Sequence, residues 1–349
     1  MIRAIAVTFV SLFAILAVSS QAQDVIYAGS EVSNQIFSVD PDTGERTLIG
    51  NVSGIAGGIV LKGIAVESSG DIVGTMEGFG GFGGLVFRMD PSDGSTTVIS
   101  RTAAPGTPVG SGVAFVQPRH VSVDTDDSLI VSDLGFGGIL RVHPATGSRE
   151  VITSSAFASP SVGTGPDTSY WRNAEVFEEG TLVLGDFSGS TVLEVDEATG
   201  DRSIVSDTVS VGSGPLFSDL RAGLVVNDSG TIYVTDNTVG IMAVDHGTGN
   251  RAEVSGGGAG SGTAFDGELW DIDYLSDGTL VVTDAFTELG SPGDTMIEGI
   301  FTVNPNTGAR AILSSTAVGS GDAFPAGGVQ HLAVMRNPVP VELSVFQTD

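Results

Sequence analysis

The sequence predicts an all-β fold, a six-bladed β-propeller in which each blade has four antiparallel strands. Three observations support this prediction. One turn motif recurs six times, no segment shows the periodicity of an amphipathic helix, and short runs of β-branched residues alternate with Gly, Asn and Asp. A repeat of about 50 residues that is built from short strands is typical of propeller blades.

The repeated motif is a turn that reads Asp-Pro-x-Thr-Gly-x-Arg in its fullest form and varies between copies. The six copies are 50, 53, 53, 49 and 59 residues apart, counted between their first residues, which are Asp40, Asp90, His143, Asp196, Asp245 and Asn304. A two-strand hairpin around each turn would form the outer half of a blade. The number of copies therefore predicts the number of blades.

Each unit divides into four strands, which we name A to D. In the fifth unit they are 223–226, 231–236, 241–244 and 251–254. The first unit begins at strand B (25–28), and the chain ends with an isolated A-like strand, 331–335. We therefore expect the C-terminal strand to complete blade 1 and close the ring, which removes open sheet edges.

The chain ends predict three regions. Arg3, an apolar run over 4–18 and small residues up to Ala22 are typical of a secretory signal peptide, 1–22. The run is shorter than the roughly 20 residues that cross a bilayer. We therefore expect no membrane span and a secreted bacterial protein, periplasmic or extracellular. A single propeller, 23–336, and a flexible C-terminal tail or linker, 337–349, would follow.

Composition excludes several classes of function. The chain has 42 Asp and Glu against 14 Lys and Arg, a formal net charge of −28. Binding to nucleic acid depends on neutralising phosphates with cations, so we expect no nucleic-acid partner. The absence of Cys excludes disulfides, thiolate metal sites and cysteine nucleophiles. We expect a monomer.

Residues that break the repeat cluster at the start of each A strand, where the sequence predicts the channel mouth. They are Lys62, Arg119, His120, Arg172, Asn173, Arg221, Trp270, Asp271, Gln330 and His331. A basic centre on an acidic body favours a small molecule or glycan that carries a carboxylate, which Arg side chains would clamp while Trp270 stacks on a sugar ring. In the alternative, these cations pair with neighbouring acids and only line a wet channel.

The same mouth would serve a hydrolase or lyase. His120 and His331 are the candidate catalytic acid and base, because an imidazole titrates near neutral pH. Arg119 or Arg172 would neutralise the charge that develops on a substrate carboxylate. The residues leave binding and catalysis open.

Two features resemble known propeller families. Residues 233–236 (Tyr-Val-Thr-Asp) and the Thr-Gly-x-Arg turns resemble YVTN and NHL repeats, and residues 63–71 also resemble the gluconolactonase (SMP-30) superfamily. The resemblance covers about residues 24–336. It implies the propeller fold, and it admits lactonases, lyases and binding modules alike.

The resemblance also implies a metal centre. Lactonases of that superfamily hold one divalent cation, usually calcium, with Glu, two Asn and Asp side chains in the channel. The matching residues here are Asn173, Glu175, Asp271 and Asp273. They fall on only two blades, and no second Asn occupies a matching strand position. Apart from this resemblance, the sequence implies no cofactor.

Two repeated features admit a structural and a functional interpretation. The D-to-A loops, which we expect around the channel mouth, carry Gly-Ser-Gly-x-x-Phe at 110–115, 212–217, 260–265 and 319–324, with a longer variant from Gly163 to Tyr170. Their aromatic residues would be ligand platforms or, as equivalent copies favour, plugs between blades. Strand-end acids would bind calcium or cap turns; they are Asp133, Asp186, Asp236 and Asp284.

The longest B-to-C insertion has 14 residues and surrounds Glu288, Asp294 and Glu298. Long irregular segments inside compact domains often form lids or binding loops. We therefore expect a lid or a partner-binding loop over the mouth.

Overall fold

The computed structural model describes residues 23–55, 59–78, 83–102, 107–168, 170–186, 189–285 and 298–336. Over these residues the chain forms six sheets of antiparallel strands and one short 3₁₀ helix (Val52–Gly54). This confirms the predicted six-bladed propeller. No helix in the described part of the chain is long and apolar enough to cross a membrane.

Blades 1 to 3 have four strands each. Blade 1 contains β1 (Val25–Gly29), β2 (Gln35–Val39), β3 (Arg46–Asn51) and the C-terminal β25 (His331–Met335); blade 2 contains β4 (Ile59–Val66), β5 (Ile72–Gly78), β6 (Leu85–Met89) and β7 (Thr96–Arg101); blade 3 contains β8 (Pro118–Val123), β9 (Leu129–Asp133), β10 (Gly138–Val142) and β11 (Arg149–Ser154).

Blades 4 and 5 repeat this pattern, and blade 6 gains a fifth, two-residue strand. Blade 4 contains β12 (Glu175–Glu178), β13 (Thr181–Asp186), β14 (Thr191–Asp196) and β15 (Arg202–Asp207); blade 5 contains β16 (Leu220–Val226), β17 (Thr231–Asp236), β18 (Gly240–Asp245) and β19 (Arg251–Gly256); blade 6 contains β20 (Ser261–Gly262), β21 (Glu268–Tyr274), β22 (Leu280–Ala285), β23 (Gly299–Val303) and β24 (Ala309–Ser315).

The ring closes as predicted. β25 pairs antiparallel with β1, from Val25 opposite Met335 to Gly29 opposite His331. The innermost strands contact one another in the order β25, β4, β8, β12, β16, β21 and back to β25. They therefore surround a central channel.

The hydrophobic core is divided among the boundaries between blades. Each of the six clusters of buried apolar side chains draws on two neighbouring blades. One cluster, for example, combines Val73 and Val86 of blade 2 with Val121, Leu129 and Leu140 of blade 3. The alternation of apolar residues along each strand serves both faces of a blade, and each face packs on a different neighbour.

The Gly-Ser-Gly segments lie against the outer strand of the following blade, so their expected position around the channel mouth was wrong. The N–H of Arg149 donates to the carbonyl of Ser111 at 2.8 Å, and in blade 6 the same segment forms β20, parallel to β24. Gly112 has φ +100°, and a Cβ there would lie 2.0 Å from the carbonyl oxygen of Arg149. This close backbone approach requires glycine.

The arginine that recurs in the turn motif binds each such segment through hydrogen bonds. In blade 5, Arg251 is 6% exposed. Its Nε donates to the carbonyl of Pro215 at 2.7 Å, and its Nη1 donates to Ser206 Oγ at 2.7 Å and to the carbonyl of Asp207 at 2.6 Å. The guanidinium lies 5.1 Å from the ring centre of Phe217. The arginine therefore joins two blades and the loop between them.

The aromatic residues of these loops are buried plugs. Phe115, Phe217 and Phe324 belong to the inter-blade clusters. In the longer variant the plug is Trp171, which is fully buried and lies under the guanidinium of Arg202, whereas Tyr170 is 38% exposed. The sequence-based assignment of Tyr170 was therefore displaced by one residue, because the longer loop hides the spacing.

Candidate functional site

β-Bulges on the innermost strands position the non-repeated residues at one end of the channel. The pairing register shifts between Leu61 and Gly63 in β4 and between Pro118 and His120 in β8, with similar shifts in β16 and β21. A bulge turns the extra side chain away from the regular pleat. The displaced residues include Lys62, Arg119, Arg221 and Trp270.

A cavity of about 20 Å³ occupies the channel mouth, room for about one water molecule. It brings together seven of the residues selected from the sequence and one that was not; its lining is Glu31, Lys62, Arg119, His120, Arg172, Trp270, Asp271 and His331. The predicted convergence at the mouth is therefore present for these seven residues.

The other three selected residues lie beside the cavity. The Oδ1 of buried Asn173 accepts from the N–H of Gly185 at 2.8 Å. Arg221 Nη2 lies 3.1 Å from Asp219 Oδ2 and 3.3 Å from Glu268 Oε1. Gln330 Oε1 accepts from the N–H of Glu31 at 2.9 Å. Asn173 and Gln330 therefore hold backbone, and Arg221 adds charge at the rim.

Two acids that the sequence reasoning missed neutralise part of this charge. Lys62 Nζ lies 2.5 Å from Glu31 Oε2, Arg119 Nη2 lies 3.1 Å from Glu77 Oε2, and His331 Nε2 lies 3.2 Å from Glu31 Oε1. Burial alone would raise the pKa of Glu31, but His331 and Lys62 outweigh it and hold that pKa at about 2. Glu31 follows strand B of blade 1, and Glu77 lies near the end of strand B of blade 2. Neither blade has the Asp that ends strand B in the other blades, and this departure from the repeat could have identified both acids.

Positive charge is concentrated around Arg172. Burial lowers the pKa of its guanidinium, and the positive charges of Arg119 and Arg221 lower it further, against smaller opposing effects of Glu31 and Tyr170. Three guanidinium groups therefore repel one another across the mouth. An anion placed among them would relieve this repulsion.

A larger cavity of about 170 Å³ continues into the channel. Its lining includes Glu175, Asp271 and Asp273, the three predicted metal ligands, together with His120 and Arg336. The two aspartates of β21 bind the closing strand, since Asp271 Oδ2 accepts from the N–H of Leu332 at 2.9 Å and Asp273 Oδ2 from that of Val334 at 2.7 Å. Both carboxylates therefore have a structural task.

Burial raises the pKa values of the carboxyl groups in the channel. It raises the pKa of Asp271 to about 8, with a smaller contribution from the charge of Asp273. Burial and the charges of both aspartates raise the pKa of Glu175, whose Oε1 lies 3.4 Å from His120 Nε2. At neutral pH, Asp271 therefore carries a proton.

His120 does not behave as the sequence suggested. Burial, and then the charge of His331, lowers its pKa to about 3. It is therefore neutral at pH 7, and the expectation that it titrates near neutral pH was wrong for this side chain. Asp271, which lines both cavities, has a pKa close to neutrality.

The predicted metal ligands fit calcium poorly. Calcium takes six or more oxygen ligands, whereas Asp271 and Asp273 each accept from a backbone N–H of β25 and Asp273 also pairs with Arg336. Over the described residues, no group of three or more His, Asp or Glu side chains is arranged to hold a metal ion. A calcium site at Glu175, Asp271 and Asp273 stays a prediction from resemblance.

The strand-end aspartates cap loops. Asp133 accepts from the N–H groups of Val116 and Gln117, both at 2.8 Å, and Asp236 accepts from those of Ser218 and Asp219. Each thereby fixes the loop that leads into its own blade. The predicted lid lies outside the described residues except for Glu298, whose Oε2 accepts from the N–H of Gly327 at 3.1 Å.

We predict that the protein loses stability as pH rises from about 5 to about 8. Asp271 titrates near 8 when folded and near its ordinary 3.8 when unfolded. Between these values the folded state keeps a proton that the unfolded chain releases, so the free energy of unfolding falls by up to about 1.4 kcal/mol per pH unit. Asp284, whose pKa burial raises to about 7, acts in the same direction. His120, whose pKa is about 3 when folded, opposes them up to about pH 6.5, so the loss of stability is steepest above that pH.

Urea unfolding at several pH values measures this slope. Asp271→Asn removes the titrating group and should flatten the slope, because an amide oxygen still accepts from the backbone. Asp277→Asn, in an exposed turn, should keep the wild-type slope. An unchanged slope in Asp271→Asn would contradict the prediction.

Comparison with known proteins gives the fold. No sequence-family model and no curated protein matches the chain. A chain of a nidogen/laminin complex is similar, with a TM-score of 0.59 and 11% identity over 89% of this chain and 98% of that one. A protein of unknown function from Bacteroides caccae has a TM-score of 0.57 and 14% identity, over 90% and 99% of the two chains.

A streptogramin B lyase is also similar, with a TM-score of 0.47 and 15% identity over 76% of this chain and 74% of that one. The first two similarities, at 11% and 14% identity, show a shared fold and say nothing about a shared activity.

Proposed function

We propose that this protein is a secreted binding module that takes the carboxylate of an acidic sugar at the channel mouth. One observation carries the proposal: the half-buried guanidinium of Arg172 lies within the field of Arg119 and Arg221, in a chain of net charge −28. Guanidinium groups bind carboxylates through paired hydrogen bonds. Secretion is part of the proposal and rests on the signal-like segment 1–22.

The size of the mouth supports a bound group smaller than a sugar ring. The cavity of about 20 Å³ has room for one carboxylate oxygen, and the rest of the carboxylate and the ring would remain outside it. The indole N–H of Trp270, which also lines the mouth, has no hydrogen-bond partner within the described residues. It would donate to a ring hydroxyl while the indole face packs on the sugar.

A lyase or hydrolase is the second candidate, and Asp271 favours it. A carboxyl group with a pKa of about 8 is protonated at neutral pH and lies at the same mouth as Arg119 and Arg172. It would donate a proton to a leaving group while the arginines hold the substrate carboxylate. The resemblance to NHL repeats and to the gluconolactonase superfamily agrees with either candidate.

Titration with galacturonate and glucuronate tests the binding function. We expect Arg172→Gln to weaken uronate binding by roughly 10- to 100-fold, because the substitution removes a charged hydrogen-bond donor from a largely desolvated site. Calorimetry or NMR titration measures the affinity. Arg101→Gln removes an equal charge from strand β7, outside the mouth, and should bind like wild type.

Two results would contradict the proposal: no uronate binding by the wild-type protein, or equal affinities of wild type and Arg172→Gln. Conversion of a uronate polymer by the wild type, lost in Asp271→Asn while binding persists, would favour the lyase or hydrolase.

A further inference from the structure

A third cavity lies between blades 3 and 4 and shares no lining residue with the mouth or the channel. Its volume is about 440 Å³, within the range of roughly 300–1,000 Å³ that is typical of small-molecule sites. The turn between β9 and β10 forms one wall, and the loop between β11 and β12 forms the other. The polar and aromatic groups of these two walls decide what can bind.

Trp171 provides an unused hydrogen-bond donor. Its side chain is fully buried, and its indole N–H has no partner within the described residues. A Cβ built on Gly137, another wall residue, would lie 4.0 Å from Trp171 Nε1 and 3.0 Å from Ser155 Oγ. The N–H edge of the indole therefore packs against Gly137, and a ligand in the cavity reaches it only where this turn gives way. A buried donor without a partner is costly unless a ligand or water accepts from it.

Asp167 provides an acceptor on the same cavity. Its Oδ2 accepts from the N–H of Ala156 at 3.3 Å and its Oδ1 from that of Thr168 at 3.1 Å. A carboxylate has about four acceptor positions, so capacity remains for a ligand. The nearby Arg202 donates to the carbonyl of Pro166 and to Thr153 Oγ1, both at 2.7 Å, and so is engaged within the protein.

Phe157 and Phe136 provide an aromatic surface at this cavity. Phe157 is 95% exposed, although it lies on a wall with the buried Trp171. Phe136 is half-buried in the opposite wall. The two rings give a ligand in this cavity an apolar surface to cover.

We propose that this inter-blade cavity binds a neutral sugar unit. The ligand must accept from Trp171, donate to Asp167 and cover Phe157 with an apolar face. A sugar hydroxyl both donates and accepts, and the C–H face of a pyranose is apolar. An anion is repelled by Asp167, and an ammonium group cannot accept from the indole. The site is therefore distinct in ligand class from the mouth.

Two-dimensional ¹H–¹⁵N NMR of the full chain tests the proposal, because the protein has only two tryptophans. Trp270→Phe assigns the two indole resonances. Methyl β-glucoside, methyl β-galactoside and cellobiose are the probes. We expect at least one of them to shift the Trp171 indole resonance with saturation and to leave that of Trp270 in place. Galacturonate, the probe for the mouth, should shift the Trp270 resonance, so the two proposals fail separately.

Variants of exposed residues keep the test independent of folding. Phe157→Ala and Asp167→Asn should each weaken sugar binding at least tenfold. Val209→Ala is the matched control, since Val209 is 91% exposed in the next inter-blade loop and should bind like wild type. The proposal is overturned if none of the three sugars shifts the Trp171 resonance, or if Phe157→Ala and Asp167→Asn bind as tightly as wild type.

Discussion

A chain that ends after Gln330 is expected to lose cooperative folding. It lacks β25, so β1 has no partner on its inner side and blade 1 has three strands. Leu332 and Val334 leave one inter-blade core, and Ala333 leaves the neighbouring one. The buried carboxyl groups of β21 also lose the backbone N–H groups that they accept from.

These losses are comparable to the whole stability of an ordinary domain. Burial of a Leu or Val side chain contributes roughly 1.5–3 kcal/mol, and each buried polar group left without a partner costs about 1–3 kcal/mol. The sum is comparable to the 5–15 kcal/mol that typically separates folded from unfolded chains. Urea titration followed by circular dichroism should show a broad, early transition instead of a single cooperative one.

The matched control is a chain that ends after Arg336. It keeps β25 and removes only 337–349, which the sequence predicts to be a tail or linker. We expect it to unfold at the same urea concentration as the full chain. The role assigned to β25 would be wrong if both truncated chains unfolded like the full one.

Arg251→Ala is expected to destabilise the protein by about 3–5 kcal/mol. The substitution leaves the buried carbonyl of Asp207, the buried hydroxyl of Ser206 and the carbonyl of Pro215 without their charged donor. It also removes the cation from the face of Phe217. Urea unfolding measures the change.

Two further variants sharpen this prediction. Arg101→Ala, whose guanidinium reaches only the carbonyl of Thr107 near the surface, should change stability by less than about 1 kcal/mol. Arg251→Lys should recover little, because an ammonium group does not reproduce the planar fork that reaches separate acceptors. Equal stability of Arg251→Ala and Arg101→Ala would show that Arg251 does not stabilise the contact between the two blades and their loop.

The architecture could be predicted because residues close together in the sequence determine each strand and turn of the repeat. Turn glycines and β-branched runs specify hairpins one by one, and the missing first A strand together with the isolated last one specifies closure. The association of the Gly-Ser-Gly segment with the arginine was also present in the sequence. Blade 2 has Thr96 where the other blades have Arg, and no such segment occurs before it.

The site could be predicted only in part. Residues that break the repeat, such as Lys62 and Trp270, were found because repetition makes exceptions visible. Glu31 was missed because its proximity to Lys62 depends on a contact between blades 1 and 2, and Glu77 because its proximity to Arg119 depends on a contact between blades 2 and 3. The proton affinities of His120 and Asp271 could not be foreseen either, since burial decides both and no sequence pattern encodes it.

The sharing of each hydrophobic core between two blades has a consequence for how this protein can change. An exchange of one blade for a homologous one replaces half of two cores at once, so it succeeds only if both neighbours accommodate the new side chains. Substitutions at the exposed residues of the turns between strands A and B disturb neither core. The sequence should therefore change fastest at those turn residues. It should change slowest at core residues that face each other across two adjacent blades.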